Sequence, residues 1–155
     1  MSGNSFKVGD EPIKTIELDC QLHDVKSNGK KLVTICEHDV IIIDVIDVDS
    51  IEGKLKMFKV CDDCGTRFNL PQGVFIDKER LIVADTGFDR VLIWNKIPES
   101  ESERPDVVIG QKSLEIDTVP LYTRHGLFMP GSVWFDGKYL WVGKLKFSNR
   151  ILRYS

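Results

Sequence analysis

Two stretches of the sequence repeat one another almost position for position, and this repeat limits the fold more than any other feature. The first runs Leu70-Pro71-Gln72-Gly73-Val74-Phe75-Ile76-Asp77, then Leu81-Ile82-Val83-Ala84-Asp85, then Arg90-Val91-Leu92-Ile93-Trp94. The second runs Met129-Pro130-Gly131-Ser132-Val133-Trp134-Phe135-Asp136, then Leu140-Trp141-Val142-Gly143, then Asn149-Arg150-Ile151-Leu152-Arg153-Tyr154. Both hold a proline, a small residue, an apolar run, a turn, a second apolar run, an arginine and a third apolar run. A weaker copy, without the proline, covers Leu22 to Val25, Leu32 to Cys36 and Asp39 to Asp44. Leu32, Leu81 and Leu140 stand at equivalent points, 49 and 59 residues apart. Such periods lie slightly above the ~40–50 residues of one four-stranded repeat and leave room for long loops.

Within each copy the apolar runs are short and β-rich, and Asn-Gly, Asp-Lys or Asp-Gly separates the first two, where tolerance of positive φ lets strands reverse. A fourth strand is expected after the first copy at Leu55 to Val60 and after the second at Val107 to Ile109. The third copy has no such successor. Residues 11–18, Glu11-Pro12-Ile13-Lys14-Thr15-Ile16-Glu17-Leu18, resemble Arg104-Pro105-Asp106-Val107-Val108-Ile109 in pattern and are expected to supply the missing outer strand, in cis or in trans. The fold class is therefore all-β, in four-stranded antiparallel units over 22–60, 70–109 and 129–154. With 155 residues and no shift of composition along the chain, one domain spanning 1–155 is expected.

The charge balance narrows the partners. A formal net charge of -3 gives no overall basic field, so nucleic acid and anionic membrane are not expected as charge-driven partners. Lys144, Lys146, Arg150 and Arg153 give the last copy only a local basic tint. The longest apolar run, Val40 to Ile43, is far short of the ~20 residues of a membrane helix and reads as a buried strand. The polar start, Met1 to Lys7, has no export-signal pattern, and a cytoplasmic location is expected.

Val83-Ala84-Asp85-Thr86-Gly87-Phe88-Asp89-Arg90-Val91-Leu92-Ile93-Trp94, preceded by Pro71-Gln72-Gly73-Val74, resembles the signature of NHL-repeat proteins. Pro105-Asp106-Val107-Val108-Ile109-Gly110-Gln111 resembles the outer-strand segment of NHL-like propellers. The third copy keeps Asn149-Arg150 but has Gly143-Lys144-Leu145 in place of Asp-Thr-Gly, and the first copy matches poorly. The resemblance implies β-propeller blades in a ring of six, so that three blades make half a ring. An open arc leaves a sheet face and strand edges bare, and such edges invite pairing. The expected partner is a second copy, joined about a two-fold axis into a homodimer that closes the ring; the alternatives are a truncated product, a subunit of a larger hetero-ring, or an open arc stabilised in another way.

Residues that could carry chemistry are few. Asp85, Thr86, Gly87 and Arg90 read as a structural loop in which carboxylate, glycine and guanidinium bind turns together. Four cysteines, Cys20, Cys36, Cys61 and Cys64, read as reduced thiols or metal ligands rather than a disulfide framework. Cys61-Asp62-Asp63-Cys64-Gly65 and Cys20-Gln21-Leu22-His23 together offer Cys20, His23, Cys61 and Cys64 as a zinc site, with Cys36 and His38 as substitutes; the alternative is free thiols or a redox-labile pair. No cofactor is expected, and zinc is the one that this set makes possible. His125 stands alone in the long loop from Pro120 to Met129. Trp94, Trp134 and Trp141 are expected inside the packing. No phosphate loop, nucleophile elbow or H-E-x-x-H is present.

Three functions stay open: a non-catalytic binding or scaffold module that presents loops or a channel mouth to a protein or small ligand; a propeller hydrolase or lyase with a metal or acid–base site at the channel mouth; and a zinc-stabilised structural or sensing protein. The absence of a catalytic constellation favours the first.

Overall fold

A computed structural model describes residues 7–48, 55–115, 127–145 and 149–155. Three antiparallel sheets follow one another along the chain. The first contains β1 (Leu22–Ser27), β2 (Lys31–Cys36), β3 (Asp39–Asp44) and β4 (Met57–Lys59). The second contains β5 (Gly73–Ile76), β6 (Leu81–Asp85), β7 (Arg90–Trp94) and β8 (Val107–Ile109). The third contains β9 (Pro130–Phe135), β10 (Leu140–Lys144) and β11 (Ile151–Tyr154). Apart from a one-turn helix α1 (Val45–Val48) and a 3-10 turn at Thr86–Phe88, the described regular structure is all β.

The repeat seen in the sequence is a repeat of turn chemistry. Between the first two strands of each sheet an Asx side chain caps the reversal. Asn28 Oδ1 accepts from the amides of Lys30 and Lys31 at 3.0 and 2.8 Å. Asp77 Oδ1 accepts from Glu79 and Arg80, both at 2.8 Å, and Asp136 Oδ1 from Lys138 and Tyr139 at 2.9 and 2.7 Å. Asn and Asp favour such turns because the short side chain replaces a backbone acceptor. The next reversals also correspond: Glu37, Asp89 and Asn149 all have positive φ, as do Leu70 and Met129 before the two prolines.

Alternation along the strands sends successive side chains to opposite faces, and both faces of the second sheet are buried. Val74, Ile76, Leu81, Val83, Leu92 and Trp94 meet Val33, Ile35, Val40 and Ile42 of the first sheet. Phe75, Ile82, Ala84 and Val91 meet Val133, Leu140 and Val142 of the third. The leading strands of consecutive sheets lie side by side, β1 against β5 and β5 against β9. Glycine makes the second approach feasible: a Cβ on Gly73 would lie 2.7 Å from the Gly131 carbonyl oxygen and 3.0 Å from the Ser132 Cα.

Eleven of the twelve expected strands are present, in the expected order. The exception is residues 11–18, which form no strand in the single chain. Among the described residues the third sheet accordingly has three strands, in the order β11-β10-β9, with β11 at its edge. Ile16 and Leu18 instead lean on Ile41 and Ile43, on the face of the first sheet turned away from the second. Their apolar side chains find burial there while no ladder engages their backbone. Among the described residues no helix is long and apolar enough to cross a membrane.

Candidate functional site

The densest cluster of polar side chains lies between β6 and β7. β6 ends at Asp85, the chain takes one 3-10 turn, and Asp89 at φ +51° returns it to β7. Arg90 Nε donates to Asp85 Oδ2 at 2.8 Å, and both side chains are buried. The rest of the guanidinium donates to the Leu114 carbonyl at 3.0 Å, the Arg67 carbonyl at 2.6 Å and Thr66 Oγ1 at 3.3 Å. Asp85 Oδ1 accepts from the Asn69 amide at 2.7 Å, and Thr86 Oγ1 donates to the Pro130 carbonyl at 2.6 Å. One loop thus ties together the connection into β5, the connection after β8 and the start of the third sheet.

Burial pushes the Asp85 carboxyl up to about 6, against the opposing pull of the Asn69 amide and the Arg90 charge. Asp89 is raised for the same first reason: its Oδ1 accepts from the Met129 amide at 2.7 Å, while Oδ2 has no hydrogen-bond partner among the described residues. Desolvation penalises the charged form of each. The hydrogen bonds of Asp85 and Arg90 go largely to backbone groups of this chain, which suits them to joining loops rather than to proton transfer.

The cysteines depart from expectation. Cys20 is joined to Cys36 and Cys61 to Cys64, with Cα separations of 5.6 and 4.7 Å, and no cysteine is free. Both separations fall in the ~4.4–6.8 Å range that a disulfide spans. The hairpin register explains the first: Leu22 pairs with Cys36, so Cys20 arrives two residues before that partner. A positive φ at Cys61 and at Gly65 curls the second back on itself. The proposed zinc set Cys20, His23, Cys61 and Cys64 is not gathered. Cys61 and Cys64 lie in the core between the first and second sheets, whereas Cys20 and Cys36 lie on the opposite face of the first sheet. The substitutes fare no better, since Cys36 is bonded and the His38 imidazole accepts from the Leu70 amide at 3.3 Å. His125 and Lys146 lie outside the described residues.

Two sheet faces are left open by the described residues, one at each end of the stack. On the far face of the first sheet a groove of about 410 Å³ runs between residues 16–18 and the hairpin, lined by Ile16, Leu18, Leu22, Val25, Leu32 and Thr34. Met57 is exposed on the same side, opposite Ile43. At the open end of the third sheet Ile151 is 76% exposed and Trp134 56% exposed, the Trp134 ring standing edge-on to Phe75 of the second sheet at 5.3 Å. Trp134 and Trp141 are register partners there, and the Arg153 guanidinium lies 5.9 Å from the Trp141 ring centre and 4.6 Å from that of Tyr139. Of the three tryptophans only Trp94 is buried as expected; its Nε1 donates to the Glu103 carbonyl at 3.0 Å. The β11 edge borders a cleft that also reaches Val107 and Ile109 of β8.

A scan of protein-family models finds none that matches this chain, and a search of curated proteins finds no match.

Proposed function

We propose that the chain is a non-catalytic binding or scaffold module, built as three propeller blades of the NHL type that close into a six-bladed ring with a second copy. The observation that carries this reading is the pair of uncovered end faces. Each carries exposed apolar side chains beside a few polar ones, each belongs to a sheet whose other face packs into a core, and a monomer that leaves both to water exposes hydrophobic surface at a cost of about 25 cal/mol per Å². A two-fold axis sets the Trp134 face of one copy on the Leu22 and Val25 face of the other, twice, with no face left over. Residues 11–18 of one copy then lie beside β11 of its partner and supply the fourth strand that the third sheet lacks.

The binding role follows from what the buried polar cluster does. Asp85 and Arg90 are sealed in the fold and bonded to loops, so the chemistry left to the surface is recognition by the loops and the channel mouth. The ligand is a protein or a small molecule.

Light scattering on the purified chain tests closure: a mass twice that of one chain is expected, and a monomer at all concentrations overturns it. The absence of chemistry is tested on the same sample with generic ester, lactone and phosphoester substrates. Turnover that follows the protein peak would replace the binding reading with the hydrolase reading.

A further inference from the structure

The segment that would join the partner is not loose in the single chain. Ile16 and Leu18 pack with Cys20 against Cys36, Ile41 and Ile43, and the Cys20–Cys36 bond fastens the end of the segment to β2. The packing, though not the cross-link to a strand, repeats one sheet further on. There Phe58 and Val60, on and just after β4, pack into the core shared with the second sheet, and the Cys61–Cys64 bond follows at once. Residues 16–18 therefore stand to the first sheet as 58–60 stand to the second. The difference is that β4 has a strand of its own sheet beside it, β3, whereas no ladder engages residues 11–18.

We propose that the Cys20–Cys36 disulfide holds residues 11–18 as a ready-placed strand for β11 of a second copy, so that ring closure is tight when this bond is formed and loosened when it is reduced. The inference rests on closure by a second copy and adds its regulation. A strand already fixed against the first sheet has less freedom to lose when the partner's edge arrives, and such preorganisation raises affinity without any new contact. The charges suit the pairing: the segment carries Glu11 and Glu17 against one lysine, Lys14, and the partner edge carries Arg150 and Arg153. The bond is also reachable. Its exposed side is Cys20, which is half-buried, while Cys36 is buried; in the other bond Cys61 and Cys64 are both buried in the core. A dithiol reductant delivers two electrons and two protons, leaves Cys20 and Cys36 as thiols, and closes into its own disulfide.

The test compares three samples of the full chain by light scattering over a concentration series, with hydrogen exchange read at the amides of residues 11–18. The samples are the oxidised wild type, the wild type in dithiothreitol, and the oxidised Cys20→Ser/Cys36→Ser variant, which keeps Cys61–Cys64. The expected result is a dimer in the first, and in the other two a dissociation constant raised by about tenfold or more with lost amide protection in 11–18. Equal dimers in all three samples overturn this inference and leave closure standing. A tighter dimer on reduction overturns it as well, since the bond then restrains closure. A monomer in all three overturns closure itself.

Discussion

Arg90 and Asp85 meet at 2.8 Å with both side chains out of solvent, and this pair joins the connection into β5 to the connection after β8. Arg90→Met is expected to lower unfolding free energy by about 3–5 kcal/mol, because it strands a buried carboxylate and leaves the Arg67 and Leu114 carbonyls without their donor. Arg90→Lys is expected to recover little of this, since one ammonium cannot reach the four separate acceptors that the guanidinium spans. Urea unfolding of both variants checks the claim.

The same pair gives stability a pH dependence of definite sign. A carboxyl whose folded value is raised holds its proton more firmly when folded, so between 3.8 and about 6 the folded chain binds more protons than the unfolded one. Stability from Asp85 is therefore present at the acid end of that window and lost as pH rises through about 6. Burial of Asp89 works in the same direction. Urea midpoints between pH 4 and 7 are expected to show this decline in the wild type and a flatter profile in Asp85→Asn.

Where β5 passes β9, a methyl group has nowhere to go. Gly73→Ala sets its Cβ against the Gly131 carbonyl oxygen and the Ser132 Cα, both backbone atoms, so the two strands must part. A loss of about 1–3 kcal/mol is expected, in line with other overpacked sites. Gly137→Ala, with open space around its Cβ, is expected to cost less and to act only through its φ of +97°. Thermal unfolding of the two variants side by side separates the effects.

An exposed apolar residue that serves assembly can be charged without harm to its own fold. Ile151→Asp, at a position 76% exposed, is expected to leave the circular dichroism spectrum of the chain intact and to abolish the dimer. Leu152→Asp on the same strand, packed toward the core shared with the second sheet, is expected to unfold the third sheet instead. A dimer that survives Ile151→Asp would remove this face from the interface.

Much of this architecture was legible in the sequence because its signals are local. Asn28, Asp77 and Asp136 mark equivalent turns, and the alternation in Leu81 to Asp85 and Arg90 to Trp94 sets which residues share a face. Two things were not legible. Residues 11–18 have the composition of a strand, yet a strand needs an edge to pair with, and this chain alone does not bring β11 to them. The cysteine pairing depends on hairpin register: only once Leu22 stands opposite Cys36 does Cys20 fall within reach. Spacing in sequence paired Cys20 with His23, while the fold placed Cys20 and Cys61 on opposite faces of one sheet. Asp24 was also missed. Its Oδ2 accepts from the Val74 amide at 3.1 Å and so joins β1 to β5, a link that only the packing of two sheets creates.

The second sheet contributes to both large cores, while the first and third sheets each contribute to one. Under tension applied between the two outer sheets, the chain behaves as elements in series, and the weaker of its two interfaces sets the force at which it yields. A closed ring of two copies offers the same load a second route. Closure would then change how the molecule fails, from rupture at its softest joint to sharing across joints, without altering a single contact inside either chain.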